Sequence, residues 1–118
     1  FDIVTLNCKK LGNIIIKRVI GLPGEKIVYK DDQLYINDEK IEEAFLDVSY
    51  IEQVKKDYNI RCFTENFEYT VGDDEIFVLG DNRLNSLDSR LLGCFKVKDI
   101  LSKKGFVLLP FKNMKEVD

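Results

Sequence analysis

Residues 13–20, NIIIKRVI, place two adjacent cations inside a run of β-branched residues. Such a run favours a strand, and side chains on a strand alternate between its two faces. Ile15, Lys17 and Val19 therefore share one face, and Ile16, Arg18 and Ile20 share the other. Whichever face is covered, one cation lies among aliphatic groups. The fold has to be a sheet, and it has to give that charge a reason to be there.

The surrounding sequence extends the sheet. DIVTLN (2–7) is a second β-prone run, joined to the first by a short loop containing Gly12. In GLPGE, Pro23 and Gly24 fit the second and third positions of a type II turn, because proline fixes φ and glycine accepts φ > 0. KIVYK and QLYIN flank Asp31-Asp32 and predict a hairpin, and NDEKI predicts a further turn into a short strand. SYIEQVKKDYN breaks this pattern. Ser49 and Glu52 have capping-box spacing, and Ile51, Val54 and Tyr58 recur at helical spacing, which predicts a short helix. Tyr69 to Val71 and EIFVLG (75–80) return to strand character. DNRLNSLDSR reads as a polar loop, and KDILSKKGFVLLPF predicts a final long strand. No repeat, linker or low-complexity tract is visible. The pattern is that of one mainly β domain with a single helical insertion.

Composition narrows the function. A chain of 118 residues has the size of one domain. Its net charge of -3 gives no electrostatic reason to expect nucleic acid. No apolar run approaches the ~20 residues of a membrane span, and no signal peptide is visible. The chain opens on strand-like FDIVTL without a methionine, so a segment upstream of Phe1 is expected. Cys8, Cys62 and Cys94 form no Cys-x-x-Cys pair, so a zinc site is not expected. They read as free thiols, or as one disulfide and one free thiol. There is no histidine. That excludes a Ser-His-Asp triad or a Cys-His pair within this chain. A hydrolytic base would have to be a carboxylate, a lysine or a metal-bound water.

Two features carry candidate chemistry. Lys17 either runs its stem along apolar surface with the ammonium in water, or is desolvated. Desolvation penalises the charged form and lowers a lysine pKa. Such a lysine can accept a proton from a serine hydroxyl. The second feature is GDNRLNSLDSR (80–90). Asp81, Arg83, Asp88 and Arg90 can pair with one another, while Asn82, Ser86 and Ser89 can hold the backbone through side-chain hydrogen bonds. The segment is either a self-satisfied structural loop or part of a site.

Taken together, IIKRVIGLPGE and, some sixty residues on, FVLGDNRLNSLDSR resemble the type I signal peptidases. These are Ser-Lys proteases that cleave signal peptides from secreted proteins, and they share a core architecture with self-cleaving repressors. The resemblance covers nearly the whole chain. FDIVTL is similar to the family's Gly-Asp-Ile-Val segment, with Phe1 in place of glycine, and GDNRxxSxDSR matches at every fixed position. The short middle segment, about 43–66, resembles the insertion of Gram-positive members. The resemblance implies antiparallel β-sheets forming a partly open barrel, with one short helix in the insertion, over 1–118. It implies Lys17 as general base and Ser86 as the group that orients it. Asp81, Asn82, Arg83, Asp88, Ser89 and Arg90 would support the site, and Leu6, Ile15, Val78 and Leu79 would shield the lysine and line a small substrate pocket. No metal and no cofactor are implied.

The family's nucleophile is a serine in a Ser-Met-x-Pro motif upstream of the Gly-Asp-Ile-Val segment. Ser49, Ser86, Ser89 and Ser102 sit in no such motif. Alone, this chain is therefore expected to be inert, being either part of a longer enzyme or a degenerate relative. The implied partners are secreted preproteins and, through an N-terminal anchor, the cytoplasmic membrane, with the catalytic domain on its extracytoplasmic face. The alternatives are a non-catalytic assembly chaperone of the same fold, a self-cleaving repressor and a β-domain with no active site. A repressor would not be expected to carry GDNRxxSxDSR.

Overall fold

The computed structural model describes residues 1–84, 86–103 and 106–107. Mainly antiparallel β structure divides into two compact units: Phe1–Gly24 with the chain from Val71 onward, and Glu25–Thr70 between them.

The first unit is a curled six-stranded sheet. β1 (Ile3–Cys8) and β2 (Asn13–Gly21) form its centre. They pair with Val4 opposite Lys17 and Leu6 opposite Ile15. On the far side of β2 lies β7 (Glu75–Leu79), followed by the two-residue β8 (Phe95–Lys96). On the far side of β1 lie β9 (Ile100–Lys103) and β10 (Phe106–Val107). A 3-10 turn, Val97–Asp99, leads into β9. The predicted final long strand is instead a hairpin, because the chain reverses so that Phe106 pairs with Lys103. The rest of that prediction, 104–105 and 108–111, lies outside the described residues. One face of the sheet is a core of Val4, Leu6, Cys8, Ile15, Val19, Ile76, Val78 and Phe95. At the end of β2, Gly24 takes the positive φ of 81° that the type II turn requires, and its amide donates to Val71 O at 3.0 Å.

The second unit is a four-stranded sheet in the order β5 (Glu39–Ile41), β4 (Gln33–Ile36), β3 (Lys26–Lys30), β6 (Phe67–Thr70). Both predicted turns are two-residue hairpins with φ > 0 at each central residue, Asp31-Asp32 and Asn37-Asp38. That geometry matches strand twist, and Asn and Asp tolerate it. The predicted helix is α1 (Val48–Asp57), but its start differs. Asp47, not Ser49, is the N-cap, and its carboxylate accepts from Tyr50 N at 3.2 Å. Asp caps as well as Ser, and Ile51 N already reaches Asp47 O at 3.0 Å, so the first turn closes two residues early. Val54 is buried and Ile51 half-buried, whereas Tyr58, expected on the same face, is the C-cap and 71% exposed. No helix among the described residues is long and apolar enough to cross a membrane.

Candidate active site

The pleat of β2 sends its two cations to opposite faces. Lys17 lies on the core face between Ile15 and Val19, opposite Val4. It is 2% exposed. An ammonium stripped of water there needs a hydrogen-bond acceptor, and Lys17 Nζ donates to Ser86 Oγ at 3.1 Å.

Ser86 reaches this position because its loop is anchored on both sides. The one-turn helix α2 (Ser89–Leu92) begins where the sequence predicts a polar loop through Arg90, and it is N-capped by Asp88. Arg90 donates through Nε and Nη2 to the two Asp88 oxygens, each at 2.9 Å. Gly80 N also donates to Asp88, at 3.1 Å. Ser89 Oγ accepts from Val78 N at 2.9 Å, and buried Arg83 donates Nε to Gly80 O at 2.7 Å. Asp88 is 0% exposed. Burial by itself would raise its pKa. The Arg90 guanidinium, the Gly80 amide and the Ser86 hydroxyl outweigh burial and hold the carboxyl below its ordinary value of 3.8. An ionised Asp88 can only accept. Ser86 Oγ in turn accepts from Lys17 Nζ.

Gly80 makes room for this contact, a role the sequence reading missed. A Cβ there would coincide with the Ser86 hydroxyl and come within 3.2 Å of Lys17 Nζ. The signal was present, since the motif opens on glycine where β7 ends.

Among the described residues, Asp81 pairs with Arg18 of β2 rather than inside the loop. Leu79 is opposite Arg18 in the β2–β7 register, so the carboxylate two residues on meets Arg18 first. Arg18 Nε and Nη2 donate to the two Asp81 oxygens, each at 2.9 Å. Asn82 is exposed. A groove of about 280 Å³ is bordered by Ile3, Ile16, Lys17, Arg18 and Leu79 together with Gly80, Asp81 and Asn82. Of the four residues expected to line a substrate pocket, Leu79 borders this groove. Leu6, Ile15 and Val78 lie fully buried on the face that Lys17 shares.

This frame has close relatives. A family profile described as "Signal peptidase, peptidase S26" matches residues 1–109. Signal peptidase I U of Bacillus subtilis is 45% identical over 116 residues, 98% of this chain and 60% of that protein. Signal peptidase I of Streptococcus pneumoniae is 37% identical over 139 residues, 93% of this chain and 68% of that protein. The crystal structure of a signal peptidase I from Enterococcus faecalis superposes with a TM-score of 0.71 at 35% identity, covering 92% of this chain and 94% of that one. The chain belongs to the signal peptidase family, peptidase S26. It spans about three fifths of the length of the Bacillus relatives it matches.

Proposed function

We propose that this chain is the Lys17-bearing part of a Ser-Lys endopeptidase that removes signal peptides from secreted preproteins. The observation that carries the reading is the contact between the amine of Lys17, a residue only 2% exposed, and Ser86 Oγ at 3.1 Å. Lys17 is the general base, and Ser86 is its orienting group. Asp88, held by Arg90, fixes the direction of the Ser86 hydroxyl. Arg83 and Ser89 keep the loop against β7, and Asp81 ties its start to β2. Leu6, Ile15 and Val78 keep the amine dry, and Leu79 forms part of the wall that a small substrate side chain meets.

Desolvation favours the neutral amine over the ammonium. A neutral Lys17 takes the hydroxyl proton of the serine that the family pattern puts upstream of Phe1. That oxygen attacks the scissile carbonyl and forms an acyl-enzyme, and the protonated lysine returns the proton to the departing amine. Water activated by the same base then releases the acyl group. The enzyme is anchored in the cytoplasmic membrane by a segment preceding Phe1 and works on its extracytoplasmic face.

The test is Lys17→Met in the full-length protein, assayed on a preprotein. Cleavage is abolished while the melting temperature holds or rises, because an apolar chain of similar length replaces a buried cation. Preserved cleavage in that variant rejects the assignment.

A further inference from the structure

Arg18, the second cation of β2, has three donor directions in use. Nε and Nη2 grip Asp81, and Nη1 donates to the main-chain carbonyl of Phe1 at 3.1 Å. A guanidinium is planar and rigid, so a bidentate carboxylate at one edge fixes where the remaining donor points. The next carbonyl is held as well, because Val19 N donates to Asp2 O at 2.8 Å. Two successive carbonyls ahead of β1 are thus fixed by two successive residues of β2. The Arg18 side chain is 16% exposed and that of Asp81 is 48% exposed, so the ion pair is partly screened and contributes little to stability. Its stronger effect is geometric. The same guanidinium fastens the start of the Ser86 loop and the stretch that leads into β1, while its neighbour Lys17 faces the other way.

We infer that Arg18 is a positioning residue for peptide cleavage. It sets the backbone preceding β1 at a fixed height against the loop that carries Ser86. It thereby sets the distance between the Lys17 amine and the nucleophile delivered from that backbone. This rests on the proposed Ser-Lys reading. Lysine cannot replace Arg18, since one ammonium supplies a point charge without the fork that joins two acceptors in a plane.

The experiment uses the full-length protein and a preprotein substrate, with kcat, KM and melting temperature measured for each variant. Arg18→Lys is expected to lower kcat by roughly 10- to 100-fold, the scale of an ångström-level misplacement. KM should stay within about twofold, and the melting temperature within about 2 °C. The exchange variant Arg18→Asp with Asp81→Arg restores an ion pair without restoring the donor to Phe1 O, so it recovers melting temperature but not kcat. Recovery of kcat in the exchange variant would reduce Arg18 to half of an ion pair and overturn the inference, as would an Arg18→Lys enzyme with native kcat. Lys17→Met run in parallel separates the two levels. If it cleaves, the Ser-Lys reading fails. If it is dead while Arg18→Lys is fully active, only the positioning role fails.

Discussion

Asp32 and Lys17 are both charges drawn in from solvent, one in each unit, and their surroundings differ. Asp32 has an 18% exposed side chain and collects opposite charge and donors. The Lys55 ammonium reaches it at 3.0 Å, Phe63 N at 3.0 Å and Thr64 N at 2.8 Å. Those bonds tie the β3–β4 turn to α1 and to the segment after it. Lys17 lies deeper, among Val4, Ile15 and Val19, and its described bond goes to a hydroxyl. A hydroxyl contact orients the amine. The two charges thus differ in what they join: Asp32 ties a turn to a helix, and Lys17 meets the Ser86 loop.

If this contrast is right, variants around Lys17 act on turnover and variants around Asp32 act on stability. After Lys17→Met itself, the largest effect is expected from Gly80→Ala. The added methyl displaces the Ser86 hydroxyl, and kcat for a preprotein should fall on the order of 10²-fold. A fully active Gly80→Ala enzyme would show that Ser86 is free to sit elsewhere.

Asp88→Asn leaves Arg90 without its counter-charge in a buried site and should cost about 3 kcal/mol in urea unfolding. Its pH dependence has a definite sign. The folded pKa is depressed, so the advantage of the native residue is full above the ordinary carboxyl value of 3.8 and is lost as pH falls through the lower folded value. A difference that grows on acidification would contradict this account.

Asp32→Ala strands two amides and an ammonium, and about 2 kcal/mol of stability should go. The kcat of the full-length enzyme should remain native, and a drop comparable to that of Gly80→Ala would break the contrast between the units. The smallest effect belongs to Lys55→Met. The hydrogen bond to Asp32 raises the Lys55 pKa, partly opposed by burial and reinforced by the Asp32 and Glu52 charges. The side chain is 23% exposed, so only about 0.5 kcal/mol is at stake. That increment is complete below 10.5 and disappears as pH rises through the higher folded value, which denaturant titrations at neutral and strongly alkaline pH would compare.

Much of this was legible in the sequence because it is local. Alternation placed Lys17 and Arg18 on opposite faces, and Pro23-Gly24 and Asp31-Asp32 named their turns. What escaped depends on competition or on register. Asp47 and Ser49 are both good caps two residues apart, and only the completed turn decides between them. Asp81 stands in a motif with two arginines, yet its partner lies 63 positions away in sequence, because the β2–β7 register brings Arg18 alongside. The reversal after Lys103 likewise lacks a strong turn signal in SKKGF. The role of Gly80 is negative space, which residue types alone do not display.

β8 is only two residues long, and it leaves β7 early, after pairing at Ile76. Beyond it two main-chain amides are taken by side chains, Val78 N by Ser89 and, just past β7, Gly80 N by Asp88. Among the described residues no further strand pairs with β7 there, and side chains of the motif occupy part of that border. An extended polypeptide meeting that margin finds the Val78 and Gly80 amides already bonded. Two occupied donors make that border a poorer template for strand pairing, whether with an incoming peptide or with copies of this chain.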